Sequence, residues 1–248
     1  MVKFINNNKQ ARLKAVESWL GKKNIYSFNL PSGYSCPFAE DCLAKADKVT
    51  GKITDGRRVS SNRMSSYRCF SATDEARSPT ARKSRWDNFE ALRKLDKNQM
   101  IDEINNSIPS DMDICRIHVS GDFFNQKYFD AWIEVAKLHP LKIFYAYTKS
   151  LPYWVNRIND IPQNLKLNAS RGSRTDELID TYNLKTAEVV LSIGEATMKK
   201  LPIDHNEYYA LNDLGNFALL IHGTQPKNSY ASQAIKNLKK HNVKFAYN

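Results

Sequence analysis

The chain has 248 residues, 42% hydrophobic and 25% charged, the balance of a folded globular protein rather than a collagen, a disordered tail or a disulfide mini-scaffold. No apolar run approaches the roughly 20 residues of a membrane span, and the amino-terminal stretch MVKFINNNKQARLK lacks a signal-peptide core, so a cytoplasmic protein without a membrane partner is expected. Thirty-seven Lys and Arg against 26 Asp and Glu leave a net charge of +11, which attracts polyanions but says nothing about fold.

Helical periodicity opens the chain from Lys9 to Leu20. Ile25 to Leu30 reads as a strand that ends at Pro31-Ser32-Gly33. Residues 34–69 are loop-like and polar, the heart of an inserted cysteine-containing and basic loop over 31–78. Helical pattern returns over Pro79–Leu95, with Pro79 in the first turn, and over Gln99–Ile108. Strands are then predicted at Ile114–Val119, Ile143–Thr148, Leu165–Ala169, Ala187–Ser192, Phe217–His222 and Val243–Tyr247. Between them lie helices at Gln126–Leu138, Tyr153–Ile158, Thr175–Tyr182, Glu195–Leu201 and Ser229–His241. Such alternation calls for a parallel sheet with crossover helices. The expected fold is α/β, a partial (β/α)6-type barrel in one domain over 1–248, with the cysteine loop near its amino terminus.

Polar residues collect where the predicted strands end. Ser120-Gly121-Asp122 follows one, Tyr147-Thr148-Lys149 closes the next, Asn168, Ser170 and Arg171 end a third, Ser192 ends a fourth, and His222-Gly223-Thr224 ends the last before the carboxyl terminus. In (β/α) barrels the reactive face is built from the carboxyl ends of the strands. Ser120, Gly121, Asp122, Thr148, Lys149, Asn168, Ser170 and Arg171 are therefore the candidate cofactor-binding residues. Each has a plainer alternative. Asp122 could cap the helix at Gln126, Lys149 could be solvated rather than hold an anion or act on a proton, and Arg171 could be a surface residue rather than an anion cradle with Arg174. His118 alternates with Ile117 and Val119, an interior position. His222 stands at a strand end.

Four cysteines occur, at 36, 42, 69 and 115. In a chain without a secretion signal, a cluster of three points to metal or catalysis before disulfides. Cys115 lies about five residues before the Ser-Gly-Asp end, roughly 16 Å at about 3.3 Å per residue, and is expected in the core. Cys36, Cys42 and Cys69 fit a [4Fe–4S] cluster with one open iron, or zinc with His118 or His222 as fourth ligand, or free thiols. Residues 57–94 carry ten basic and four acidic side chains, a net +6, and are either a solvated face or a contact for nucleic acid or another anionic partner. No GxGxxG, Walker loop, GxSxG or HExxH is present.

The stretches SGYSCPFAEDCLAKADKVTGKI, YRCFSATDEAR, RIHVSGDFFNQKYFDAWIEVA, FYAYTKSLPYW, ASRGSR and FALLIHGTQP resemble a phage-encoded family known as gene product 88, over most of residues 25–240. That resemblance places the protein in the cytoplasm of an infected host cell. More distantly, the order of parts (first strand, cysteine loop, helix, second strand, Gly-acidic motif) resembles the radical S-adenosylmethionine superfamily. The second resemblance implies a [4Fe–4S] cluster on Cys36, Cys42 and Cys69, with S-adenosylmethionine held at Asp122. The usual CxxxCxxC spacing differs from this chain, where 26 residues separate Cys42 from Cys69.

Overall fold

The computed structural model describes residues 1–6 and 11–243. In chain order the elements are β1 (Phe4–Asn6), α1 (Ala11–Leu20), β2 (Ile25–Phe28), β3 (Ala44–Ala46), β4 (Ile53–Asp55), α2 (Arg57–Ser60), α3 (Phe70–Arg77), α4 (Pro79–Leu92), α5 (Lys97–Asn105) and β5 (Ile114–Ile117). They continue with α6 (Gln126–Leu138), β6 (Ile143–Thr148), α7 (Leu151–Val155), β7 (Leu165–Ser170), α8 (Glu177–Thr181), β8 (Thr186–Val190), α9 (Ile193–Met198), α10 (Tyr208–Leu211), β9 (Phe217–Leu220) and α11 (Tyr230–Lys240).

Seven strands form one sheet in the order β1-β2-β5-β6-β7-β8-β9. Every pair from β2 onward is parallel, and β1 alone runs antiparallel, with Phe4 opposite Phe28. The parallel strands follow chain order, so the sheet has no reversal point of the doubly wound kind. Among the described residues β1 and β9 end the sheet without pairing to each other. The expected α/β fold with a mostly parallel sheet is present, and the described strands form an open sheet. The last predicted strand falls mostly on residues 244–248, outside the described residues.

Alternation along the strands divides the core. Tyr26, Phe28, Cys115, Ile117, Phe144 and Ala146 face α5 and α6, where Trp132 lies fully buried and edge-on to Phe28 at 5.4 Å. Ile25, Ile114, Tyr145, Ala187 and Phe217 face the other way, onto Val16 of α1 and Leu211 of α10. With both faces covered, the strands read as nearly unbroken apolar runs.

The segment 31–78 has its own scaffold. β3 and β4 form a hairpin (Ala44 opposite Asp55), and α3 begins directly after Cys69. Sequence periodicity misses α3 because its buried positions are Ser71, Ala72, Thr73 and Glu75, small or polar rather than apolar. Glu75 is fully buried, and its Oε1 accepts from the Ser32 amide (2.9 Å), the Ser120 hydroxyl (2.9 Å) and Arg85 (3.1 Å). One carboxylate thus ties together the loop after β2, the end of β5 and helix α4.

These contacts also resolve part of the basic segment. Arg82 and Arg85 are buried, Arg82 donating to the carbonyls of Lys48, Val49 and Glu75. Arg68 makes a two-pronged pair with Asp55, and Arg58 pairs with Glu40 and Asp41. Those four cations hold the loop together. Arg57, Arg63, Arg77, Lys83, Arg93 and Lys94 remain exposed.

Removing one member of a buried ion pair leaves an uncompensated charge, at about 3–5 kcal/mol. Glu75→Ala is therefore expected to lower the unfolding free energy in urea by about 3 kcal/mol or more, against under about 0.5 kcal/mol for Arg57→Ala on the surface. A loss below 1 kcal/mol for Glu75→Ala would show that the carboxylate does not hold these elements together.

Candidate functional site

At the carboxyl ends of the parallel strands lies a cavity of about 140 Å³. Cys36, Cys42 and Cys69 enter it from the loop, and Arg116, Tyr147, Val189 and Leu219 form the opposite wall. Asp122, Lys149 and Ser170 lie between.

The loop presents the thiols through its backbone. Gly33, at φ 72°, donates its amide to Cys36 Sγ (3.3 Å), and a Cβ there would meet the Ala44 carbonyl oxygen at 2.5 Å. Only glycine tolerates that close approach in that conformation. The Cys69 amide donates to the Cys42 carbonyl (3.2 Å), which joins the two cysteines across 26 residues of sequence. Cys69 is the N-cap residue of α3, where the nearby amides of Ala72 and Ser71 favour negative charge on its sulfur. Tyr67 lines the cavity beside them.

Burial pushes all three thiols up. Cys36 is raised well above the usual range by burial first, then by Asp122 and Cys69. Cys42 rises by burial against an opposing pull from Lys149. Cys69 is pushed up to about 11, by burial and then by Cys42. Neutral thiols are the resting form at pH 7, and a positive centre must displace their protons before they can ligate. Cys115 lies on the opposite face of the sheet, fully buried beside Ile117. Among the described residues, no three His, Cys, Asp or Glu side chains are grouped as ligands for a single metal ion.

Asp122 does not cap α6; Asn125 does, accepting from the Tyr128 amide at 2.9 Å. Asp122 instead accepts from the Phe123 amide (2.8 Å), the Thr148 hydroxyl (2.6 Å) and the Lys149 amide (2.8 Å), clamping the end of β5 to that of β6. Gly121 has φ 87°, and a Cβ there would lie 2.5 Å from Ser35 Oγ and 2.6 Å from Leu30 Cβ. The turn that carries Asp122 therefore lies directly against the loop that carries Cys36.

Lys149 is buried, and its ammonium donates to Ser170 Oγ (2.6 Å) and to the carbonyls of Ser170 (3.1 Å) and Arg171 (2.6 Å). These acceptors use its three protons. Four of the sequence-derived candidates line the cavity: Gly121, Asp122, Lys149 and Ser170. The other four do not. Thr148 backs Asp122, Ser120 serves Glu75, Asn168 donates to the carbonyls of Ala146 and Ala210, and Arg171 pairs with exposed Asp180 (2.8 Å). Arg171 thus has the surface ion pair of the plainer of its two readings.

Arg116 and Tyr147 line the cavity as well, though neither is among the candidate cofactor-binding residues, and both engage Glu207 behind them. Arg116 pairs with Glu207 (3.2 Å), Tyr147 donates its hydroxyl to the same carboxylate (2.6 Å), and the guanidinium lies over the Tyr147 ring at 4.8 Å. A charged residue in the middle of the apolar strand IleCysArgIle is the signal that could have found Arg116. His118 is interior, as its alternation implies; its Nε2 lies 2.9 Å from the Tyr128 hydroxyl, and burial lowers its pKa to about 3. His222 stands against the Phe70 ring at 4.7 Å.

The Gene product 88 family model matches residues 2–243, which include every residue of this cavity. The chain belongs to that family. No curated protein and no solved structure matches it. The Gene product 88 match begins before β1 and ends after α11, so the family is defined by the whole sheet and not by the cysteine loop alone. No described helix is long and apolar enough to cross a membrane.

Burial raises Asp122 from 3.8 to about 6, against the donors that surround it. Between these values the folded chain holds a proton that the unfolded chain has released, so this group's contribution to stability falls as pH rises through that window. In metal-free protein, the stability difference between wild type and Asp122→Asn is expected to shrink between pH 4 and 7 by on the order of 3 kcal/mol. Parallel pH curves for the two proteins would show that Asp122 is not held in this way.

Proposed function

We propose that Cys36, Cys42 and Cys69 hold a [4Fe–4S] cluster that leaves one iron open, and that the protein uses it in redox or radical chemistry. The observation that carries this reading is the convergence of three thiols on one cavity, backed by the strand ends of a parallel sheet. An all-sulfur donor set suits an iron–sulfur cluster. The α3 amides at Cys69 and the apolar side chains Val189, Leu219 and Ile221 are the amide and low-dielectric surroundings that tune such centres. A single zinc ion with Zn–S bonds of about 2.3 Å would bring its sulfurs within about 4 Å of one another. When bound, the cluster supplies one-electron transfer; the chain encloses it, and Asp122, Lys149 and Arg116 set the charge around it.

Anaerobically purified protein is expected to be brown, with about four irons and four acid-labile sulfides per chain. Ser substitutions at Cys36, Cys42 or Cys69 should each abolish the colour, and Cys115→Ala should retain it. Colourless protein with stoichiometric zinc would overturn the cluster reading.

The finer reading gives S-adenosylmethionine as the ligand of the open iron. Asp122 supports it, because it lines the cavity in the Gly-acidic turn after β5 and its three donors leave one of about four acceptor positions for an amino group. Saturating S-adenosylmethionine should then change the electron paramagnetic resonance spectrum of the reduced cluster, and Asp122→Ala should weaken the change. An unchanged spectrum on fully loaded protein would leave the cluster with a redox or sensing role.

A further inference from the structure

A second and much larger depression adjoins the cysteine cavity. It is a half-open groove of about 1120 Å³, with walls drawn from both ends of the sheet. One side is the β1–β2 edge (Lys3, Ser27, Asn29) with α4, and the other is the turn after β9 with α11. Asn88 of α4 fixes the first wall, exchanging hydrogen bonds with the Lys3 backbone (2.7 and 3.0 Å) and donating to the Asn29 carbonyl (3.1 Å). The groove and the cavity share Phe70, Val119 and His222, so the tilted Phe70–His222 pair stands between them.

Charge along the groove is unbalanced. Its two acidic residues are already engaged, Asp74 by Arg85 (2.5 Å) and Asp87 by Lys83 (2.7 Å). Lys3, Arg77 and Lys239 are exposed along the groove, and no described carboxylate pairs with them. At about 1120 Å³ the groove exceeds the roughly 300–1,000 Å³ that encloses a drug-sized ligand, and it is half open to solvent, room enough for a segment of a chain. A basic groove with aromatic surface at its inner end matches the recognition of single-stranded nucleic acid, where cations follow the phosphates and flat rings take the bases.

We propose that this groove binds single-stranded nucleic acid, its phosphates on Lys3, Arg77 and Lys239 and one base against the Phe70–His222 pair at the mouth of the cysteine cavity. The inference stands apart from the cluster reading, since it uses neither the thiols nor a bound metal. If both hold, the substrate of the metal centre is a nucleotide within a strand.

The test is fluorescence anisotropy with a labelled single-stranded oligonucleotide, on protein as purified, together with crosslinking by an oligonucleotide containing 5-iodouracil. Arg77→Glu/Lys239→Glu is expected to raise Kd at least tenfold and to reduce the slope of log K against log salt by about 1.4, or about 0.7 per phosphate contact. Lys22→Glu/Lys127→Glu, with the same charge change away from the groove, should shift Kd less than threefold. Crosslinks should map to Phe70 or His222. Equal weakening by both double variants, equal competition by polyglutamate, crosslinks confined to other surfaces, or no binding at 50 mM salt would each overturn the proposal. The metal analysis above is unaffected by any of these results, so the two readings fail separately.

Discussion

The Glu75 carboxylate, with no exposed surface, takes three donors from three separate parts of the chain. The cysteine loop is long and poor in large apolar side chains, so it cannot hold its shape by hydrophobic burial alone. Its order comes from buried polar contacts: Glu75 with Arg85, the carbonyls gathered by Arg82, and the Arg68–Asp55 pair. Such contacts are costly to half-satisfy and well determined when complete. The positions of Cys36, Cys42 and Cys69 follow from that network, since each sits within a few residues of one of its members.

The electrostatics of the cavity point in one direction. Burial disfavours thiolates at all three cysteines, and Asp122 opposes charge on Cys36 and Cys42. Lys149, whose ammonium is held by oxygens at the end of β7, offsets this in part at Cys42. Arg116 is likewise matched by Glu207. The protein thus offers sulfur ligands with little positive charge of its own to hold them ionised. A bound cationic centre, as proposed above, would supply the missing positive charge.

The parallel sheet was legible in the sequence because its strands are covered on both faces and stand out as apolar runs between amphipathic helices. α6 and β6 match their predicted bounds residue for residue. Short elements such as β1 and α10 were not legible, since three or four residues carry no period. α3 was hidden for a chemical reason, its buried face being Ser, Ala, Thr and Glu. At the site, the rule that strand ends face the chemistry located Gly121, Asp122, Lys149 and Ser170. It also drew in Thr148 and Asn168, whose side chains hold neighbouring strands together. Arg116 was missed because it comes from within a strand, where one-dimensional alternation does not say which face meets a cavity; Tyr147 stands among the strand-end residues, but its place in the cavity wall follows only from the fold.

The order of the strands sets a timetable for assembly. Each parallel strand pairs with the one before it in the chain, so the sheet can grow outward from β2 as successive units leave the ribosome. The cysteine loop emerges early yet leans on partners made much later. The Glu40 amide donates to the Gly172 carbonyl, and the Arg68 amide donates to Gln225, 157 residues on. The thiols are therefore translated first and enclosed last. Any centre they hold must be loaded by a nearly complete chain, or must wait on an exposed loop until the turn after β9 arrives to cover it.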